Sequence, residues 1–308
     1  MMSAIRQQMR TTSRGDESLL WSLPSGYSRP MGKETPASGE WIRLVTGDVH
    51  SLCRPGLEAA IAETYSQHRW IYDALIGRSD STVFRGRHPV VGGVLADQRV
   101  VIKRMYHGGV LARIGGDAFL TSARARAHVE LAGYLAAHGV ATPPVVFVSW
   151  RRMNGFIRSE IGFERIYGAI DADELFFGER RAPEGWEGRA AAIGALLARL
   201  HQIRFLHADV NLMNFLFAGD GKTYVLDLDK TTLRRRALSP GERNRNLERL
   251  ERSIRKQGRN HDPAVAEGII REIRSAYRRT LNASSDAAGL ELLMSSSLSK
   301  EIERLPPV

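Results

Sequence analysis

The densest run of chemistry-bearing side chains lies between His207 and Asp229. His207-Ala208-Asp209-Val210-Asn211-Leu212-Met213-Asn214 is followed, after a short apolar stretch, by Tyr224-Val225-Leu226-Asp227-Leu228-Asp229. A carboxylate able to accept a hydroxyl proton stands five positions before a carboxamide, and a second carboxylate closes an apolar run. Phosphoryl transfer asks for such a set: a group to orient the nucleophile, and hard oxygen donors for a magnesium ion that neutralises phosphate charge. In that chemistry Asp209 is the catalytic base, and Asn214 and Asp227 are the metal ligands. The plain alternative is a polar turn in which Asp and Asn act as caps and turn formers.

The spacing His-x-Asp-x-x-x-x-Asn, then a strand ending in Asp, is the kinase catalytic-loop pattern. His207 reads as scaffold rather than proton carrier. Upstream, this chemistry needs a strand lysine on the nucleotide phosphates and a helix glutamate to hold it. Lys103 follows Val100-Val101-Ile102, and Glu130 lies on the next helix, so the two are expected to pair. Gly92 and Gly93 end a glycine-bearing segment that starts at Gly86. Their backbone is a candidate ATP phosphate cradle, although a plain hairpin turn fits as well.

Elements must hold these residues in place. Short apolar runs predict strands at Thr82–Phe84, Val90–Val94, Arg99–Met105 and about Arg158–Ile166, and Val140–Val148, interrupted by Pro143 and Pro144, leads into another. Helical spacing predicts helices over Arg54–Ala74, Ser122–His138 and Glu187–Arg204, with more helix from Glu242 on. Phe215–Phe217 and Thr223–Leu226 flank Gly219-Asp220-Gly221 as a hairpin. Strands first and helices later predict an α+β fold of two lobes. The expected boundaries are a disordered tail over 1–40, a smaller lobe over 41–163, a helical lobe over 164–290 and a C-terminal tail over 291–308.

Composition sets the frame. The 308 residues are 43% hydrophobic and 25% charged, as in an ordinary soluble domain. The single cysteine, Cys53, excludes an internal disulfide framework and fits a reducing, cytoplasmic compartment. No apolar run approaches the ~18 residues of a membrane-spanning helix, and the polar start predicts no export by a secretion signal. The net charge of +10 favours anionic partners. Much of it falls between Lys230 and Arg259, where Leu247, Leu250 and Ile254 take the core side of a helix. The arginines there form either a solvated face or a platform for anionic partners such as an acidic membrane surface. No aromatic residues interleave with them for base stacking, so no nucleic acid is expected.

At these residues the sequence resembles the lipopolysaccharide kinase family. His207-Ala208-Asp209 with Asn211 and Asn214 is similar to its H-A-D-L-N-x-x-N loop, and Asp227 to Lys230 to its D-F-D-R, with Leu228 in place of Phe. Val101 to Gly109 resembles its strand leading into a basic R-G-G turn. Glu130-Leu131 with Gly139 to Pro144 resembles its helix and G-L-P-V-P connector. Asn246 to Lys256 resembles its N-L-x-R-L-x-R-S-L-x-K helix. The resemblance covers roughly Phe84 to Lys256. It implies a protein-kinase-like fold, ATP and Mg2+ as cofactors, and phosphate transfer to a sugar hydroxyl of the lipopolysaccharide inner core, foremost 3-deoxy-D-manno-octulosonic acid (Kdo). It further implies a lipopolysaccharide precursor of the Kdo–lipid A type as partner and work at the cytoplasmic face of the inner membrane. Two other readings stay open: another phosphotransferase of this fold, and a catalytically dead fold that only binds nucleotide. The presence of Asp209, Asn214 and Asp227 together argues against the second. The lack of an A-P-E-type motif after Asp229 argues against a protein kinase.

Overall fold

The computed structural model describes residues 40–302 except 85–88, 107–116, 118, 179–184 and 230, with side chains as far as residue 283. The expected N-terminal tail, the turn at Gly86 and the basic turn at His107-Gly108-Gly109 lie outside the described residues.

Seven antiparallel strands build the first lobe. They are β1 (Ile42–Thr46), β2 (Val49–Cys53), β3 (Thr82–Phe84), β4 (Val90–Leu95), β5 (Gln98–Arg104), β6 (Val145–Met153) and β7 (Phe156–Glu164). Their order across the sheet is β1-β2-β6-β7-β5-β4-β3. The β1–β2 hairpin was not legible in the sequence. On β2 the inward positions are Val49, Ser51 and Cys53, and the buried Ser51 hydroxyl pairs with that of Ser149 at 2.7 Å. A polar residue facing inward erases the alternation that marks a strand.

Where one helix was expected over Arg54–Ala74 there are two, α1 (Glu58–Gln67) and α2 (Ile71–Ile76). The break is enforced from β7. Buried Glu160 accepts hydrogen bonds from the Tyr65 hydroxyl at 2.6 Å and from the backbone N–H of Ile71 and Tyr72 at 2.8 and 3.0 Å. It thus satisfies the first N–H groups of α2. The helix α3 (Ala123–Ala137) follows and stops at Gly139, whose φ of 67° is open to glycine.

The second lobe is mainly helical: α4 (Ala172–Phe177), α5 (Trp186–Gln202), α6 (Pro240–Gly258) and α7 (Pro263–Ile302). Small strands β8 (Ile170–Asp171), β9 (Phe205–Leu206), β10 (Phe215–Phe217), β11 (Thr223–Val225) and β12 (Thr232–Leu233) frame the loop of interest. The turn after β10 forms the expected hairpin, with Phe215 opposite Val225. A capping box between Ser239 and Glu242, with Pro at the start, opens α6. The helices α5 and α7 lie so close that a Cβ on Gly194 would strike the backbone of Ile273. One apolar core joins α3 and the inner sheet face to the helical lobe, and a smaller one lies between α1, α2 and the far sheet face.

Candidate active site

The strand β5 alternates Val100 and Ile102 into the far core, which turns Lys103 to the opposite face, toward the second lobe. Its ammonium lies 2.7 Å from Asp227 Oδ1 and 3.4 Å from Asp229 Oδ2. Burial alone would lower the pKa of Lys103. Asp229 and Asp227 overcome that and hold it above its ordinary value, so the ammonium stays charged.

Asp227 takes a φ of 54°. Such a left-handed backbone costs about 1 kcal/mol or more for a non-glycine residue. It bends the chain directly after the β11 hairpin. The hairpin brings in the next residue: Leu226 N–H donates to Asn214 O at 2.9 Å. The amides of Asn214 and Asn211 both donate to the Asp209 carbonyl, at 2.8 and 2.9 Å. Lys103, Asp227, Asn214 and Asp209 are therefore joined by a continuous set of short contacts. The Asn214 Oδ1 is not used by the Asp209 contact, and the Asp209 carboxylate is half exposed.

His207 sits beneath this loop. Its Nε2–H donates to Leu226 O at 2.8 Å. Burial pushes its pKa down, against the opposing pull of that bond. A neutral, buried imidazole thus ties the loop to the end of β11.

One sequence expectation is corrected. Glu130 does not hold Lys103, whose ion-pair partners are the two aspartates. The residues of α3 that reach this site are Arg124 and His128, four apart on one face: Arg124 Nη2 is 3.1 Å from Asp229 Oδ2, and His128 Nδ1 is 3.5 Å from Asp229 Oδ1. Glu130 stands two residues beyond His128, about 200° around the helix, on the side of Arg126, whose charge it stabilises. Gly92 and Gly93 both lie within β4. Gly92 pairs with Val101 and Gly93 with Val100, so the two glycines look to opposite faces of the sheet. A Cβ on Gly93 would meet Leu75 of α2 in the far core, whereas Gly92 lies on the Lys103 side, beneath Phe84.

Asp229 was the understated member of the motif. Burial works to raise its pKa, but Lys103, with His128 and Arg124, holds it well below the usual carboxylate range. The His128 contact lacks hydrogen-bond geometry, so the buried Asp229 Oδ1 keeps an unused acceptor site. That oxygen, the Asp227 carboxylate and Asn214 Oδ1 are hard donors of the kind magnesium takes. No group of three or more His, Cys, Asp or Glu that could hold a metal ion occurs among the described residues.

The helix α6 supports the loop with one stripe. Asn246 Nδ2 donates to His207 O at 2.8 Å, and Arg249 Nη1 to Ala208 O at 2.6 Å. Leu212 N–H donates to Ser253 Oγ at 3.4 Å. Arg249 Nη2 also stands 3.3 Å from Asp209 Oδ1. Behind Asn246, its Oδ1 accepts from His201 Nε2 at 3.0 Å, and His201 Nδ1 accepts from the Tyr277 hydroxyl at 2.7 Å. The signal for this support was the spacing of Asn246, Arg249 and Ser253, which share a helix face.

A sequence model of the lipopolysaccharide kinase (Kdo/WaaP) family matches residues 84–277. Similar proteins include 3-deoxy-D-manno-octulosonic acid kinase of Stenotrophomonas maltophilia (strain R551-3). It is 32% identical over 188 residues, covering 59% of this chain and 72% of that protein. The kinase of the same name from Xanthomonas euvesicatoria pv. vesicatoria (strain 85-10) is 30% identical over 182 residues, covering 58% and 70%. That from Actinobacillus succinogenes is 26% identical over 191 residues, covering 58% and 74%. Among solved structures, a divergent kinase lacking the glycine-rich loop, which regulates membrane ultrastructure of the Toxoplasma parasitophorous vacuole, aligns at a TM-score of 0.39 and 15% identity. It covers 68% of this chain and 77% of that one, a likeness too slight to build on.

Proposed function

The chain belongs to the lipopolysaccharide kinase (Kdo/WaaP) family, it is a kinase of two-lobed α+β architecture, and we propose that it transfers the γ-phosphate of ATP to a hydroxyl of Kdo in the lipopolysaccharide inner core. The observation that carries this reading is the joining of Lys103, Asp227, Asn214 and Asp209 across the two lobes, from positions up to 124 residues apart for the Lys103–Asp227 contact. In this reading Lys103 holds the ATP phosphates, with Gly92 roofing the nucleotide. Asp209 takes the proton from the sugar hydroxyl as the oxygen bonds to phosphorus and ADP leaves. Asp227 and Asn214 hold Mg2+, with Asp229 beside them fixing Lys103. The ion supplies charge neutralisation on the phosphates. The proteins named Kdo kinase that this chain resembles support the choice of sugar.

The test is turnover of ATP with a Kdo–lipid A acceptor, with the product read by mass as an added phosphate. Asp209→Ala should lower turnover by about 100- to 10,000-fold and leave ATP affinity nearly unchanged, because Asp209 faces the acceptor. Turnover within tenfold of wild type removes Asp209 from its role. Wild-type enzyme that adds no phosphate to the acceptor removes Kdo as substrate.

A further inference from the structure

We propose that Arg252 and Lys256 of α6 form the subsite for the acceptor's own anionic group, so that the site selects a sugar acid over a neutral sugar. This rests on the reading of Asp209 as the group that receives the acceptor's hydroxyl proton.

A cleft of about 510 Å³ opens beside Asp209 and is lined by Asp209, Asn211, Arg249, Arg252, Ser253 and Lys256. That volume suits a small ligand. Four of these residues come from α6, at intervals of three, four and seven, so they share one face. Two of the four are engaged with the catalytic loop: Ser253 Oγ accepts from Leu212 N–H, and Arg249 is committed to Ala208 O and Asp209. The other two are exposed and make no ion pair among the described residues. Arg255, on another face of the same helix, is matched by Glu267 at 2.8 Å and by Glu251 at 3.6 Å. Two cations with no ion pair among the described residues thus line a cleft that contains Asp209.

The spacing gives the shape of the ligand. At 1.5 Å per residue, Arg252 and Lys256 stand about 4 and 10 Å along the helix from Arg249, which touches Asp209. A hydroxyl presented to Asp209 and a carboxylate presented to Arg252 can therefore sit on one sugar. The guanidinium can grip a carboxylate through two parallel bonds, and the lysine adds a point charge. The pair also offsets the repulsion between the Asp209 carboxylate and an anionic acceptor. A neutral sugar leaves both cations without a partner.

Binding and turnover separate this inference from the reading on which it rests. Free Kdo and its methyl ester are titrated by calorimetry into the full chain, the Arg252→Gln/Lys256→Gln double variant and the control Arg245→Gln. Wild type should bind the acid about ten- to a hundredfold more tightly than the ester, the range for charge-assisted hydrogen bonds. The double variant should lose that preference, with its affinity for ATP within about twofold of wild type, and Arg245→Gln should keep it. Circular dichroism of the double variant confirms its fold, and single variants replace it if the fold is lost. Equal binding of acid and ester by wild type, or an undiminished preference in the double variant, overturns the subsite whether or not phosphate is transferred. Selective binding of the acid without any phosphate transfer keeps the subsite and overturns the kinase reading of Asp209.

Discussion

Asp229 collects two cationic side chains, Lys103 and Arg124, and the His128 ring, from two elements of the first lobe. Its carboxylate is the point at which β5 and α3 are fixed to the catalytic segment of the second lobe. Neutralising it would leave Lys103 with Asp227 alone and take from Arg124 its carboxylate partner in a mostly buried site. Removing one partner of such a cluster costs about 3–5 kcal/mol, because the remaining charges stay desolvated. Asp229→Asn should therefore lower unfolding stability by about 3 kcal/mol, and adding Arg124→Gln should restore part of the loss. Urea unfolding of the three proteins measures this. An Asp229→Asn variant as stable as wild type would show that the cluster is solvated and that Asp229 does not tie the lobes. At this scale the grouping of Asp209, Asn214 and Asp227 was legible, because it depends on spacing along one loop. Lys103 was also legible, since strand alternation decides which way it points. The partner of Lys103 was not, because it depends on the rotational phase of α3. Glu130 has the right residue type on the wrong face, and His128 has the right face without a carboxylate.

Among the elements, α6 carries the loop, and a buried relay stabilises it from behind. Tyr277 on α7, His201 on α5 and Asn246 on α6 end at the His207 carbonyl. The relay needs a neutral His201, with Nδ1 accepting and Nε2–H donating. Burial drives its pKa down to about 4; the Asn246 bond opposes this, and nearby Arg243 assists it. Between about pH 6.5, its ordinary value, and about pH 4, the unfolded chain binds a proton that the folded chain refuses. Stability from this group is therefore complete above pH 6.5 and falls on acidification through that window, by about 3 kcal/mol in all at about 1.4 kcal/mol per pH unit. His207, also lowered by burial, acts in the same direction. Glu160, raised by burial, acts in the opposite one. The decisive comparison is thus between proteins: wild type should lose more stability than His201→Gln between pH 7 and pH 5 in denaturant titrations. Parallel curves would mean that His201 can take up a proton in place. The long amphipathic helices α5 and α6 were legible because their apolar residues repeat over several turns. The α1–α2 break was not, since it is imposed by Glu160, a residue more than eighty positions away. Nor was the β1–β2 hairpin, whose inward side chains include a serine.

The whole molecule carries a net charge of +10, and the fold redistributes what the sequence showed as one basic block. Glu242 neutralises Arg234 and Arg236, the catalytic loop takes Arg249, and Glu251 and Glu267 take Arg255. Arg252 and Lys256 line the cleft beside Asp209. Arg235, Arg245 and Arg259 remain exposed outside it. No helix among the described residues is long and apolar enough to cross a membrane, yet the proposed acceptor is anchored in lipid. Attraction between exposed arginines and acidic headgroups, at about 1 kcal/mol per residue near the surface, would favour the protein's approach to such a surface. Such attraction is screened over about 10 Å at 0.1 M salt and about 3 Å at 1 M. The protein should therefore sediment with vesicles containing phosphatidylglycerol at low salt and be released at high salt. Arg235→Gln with Arg245→Gln should weaken sedimentation, whereas Arg252→Gln with Lys256→Gln should alter acceptor binding far more than vesicle binding. Protein that stays in the supernatant at low salt would exclude this surface attraction and leave the lipid-linked sugar itself as the point of recognition.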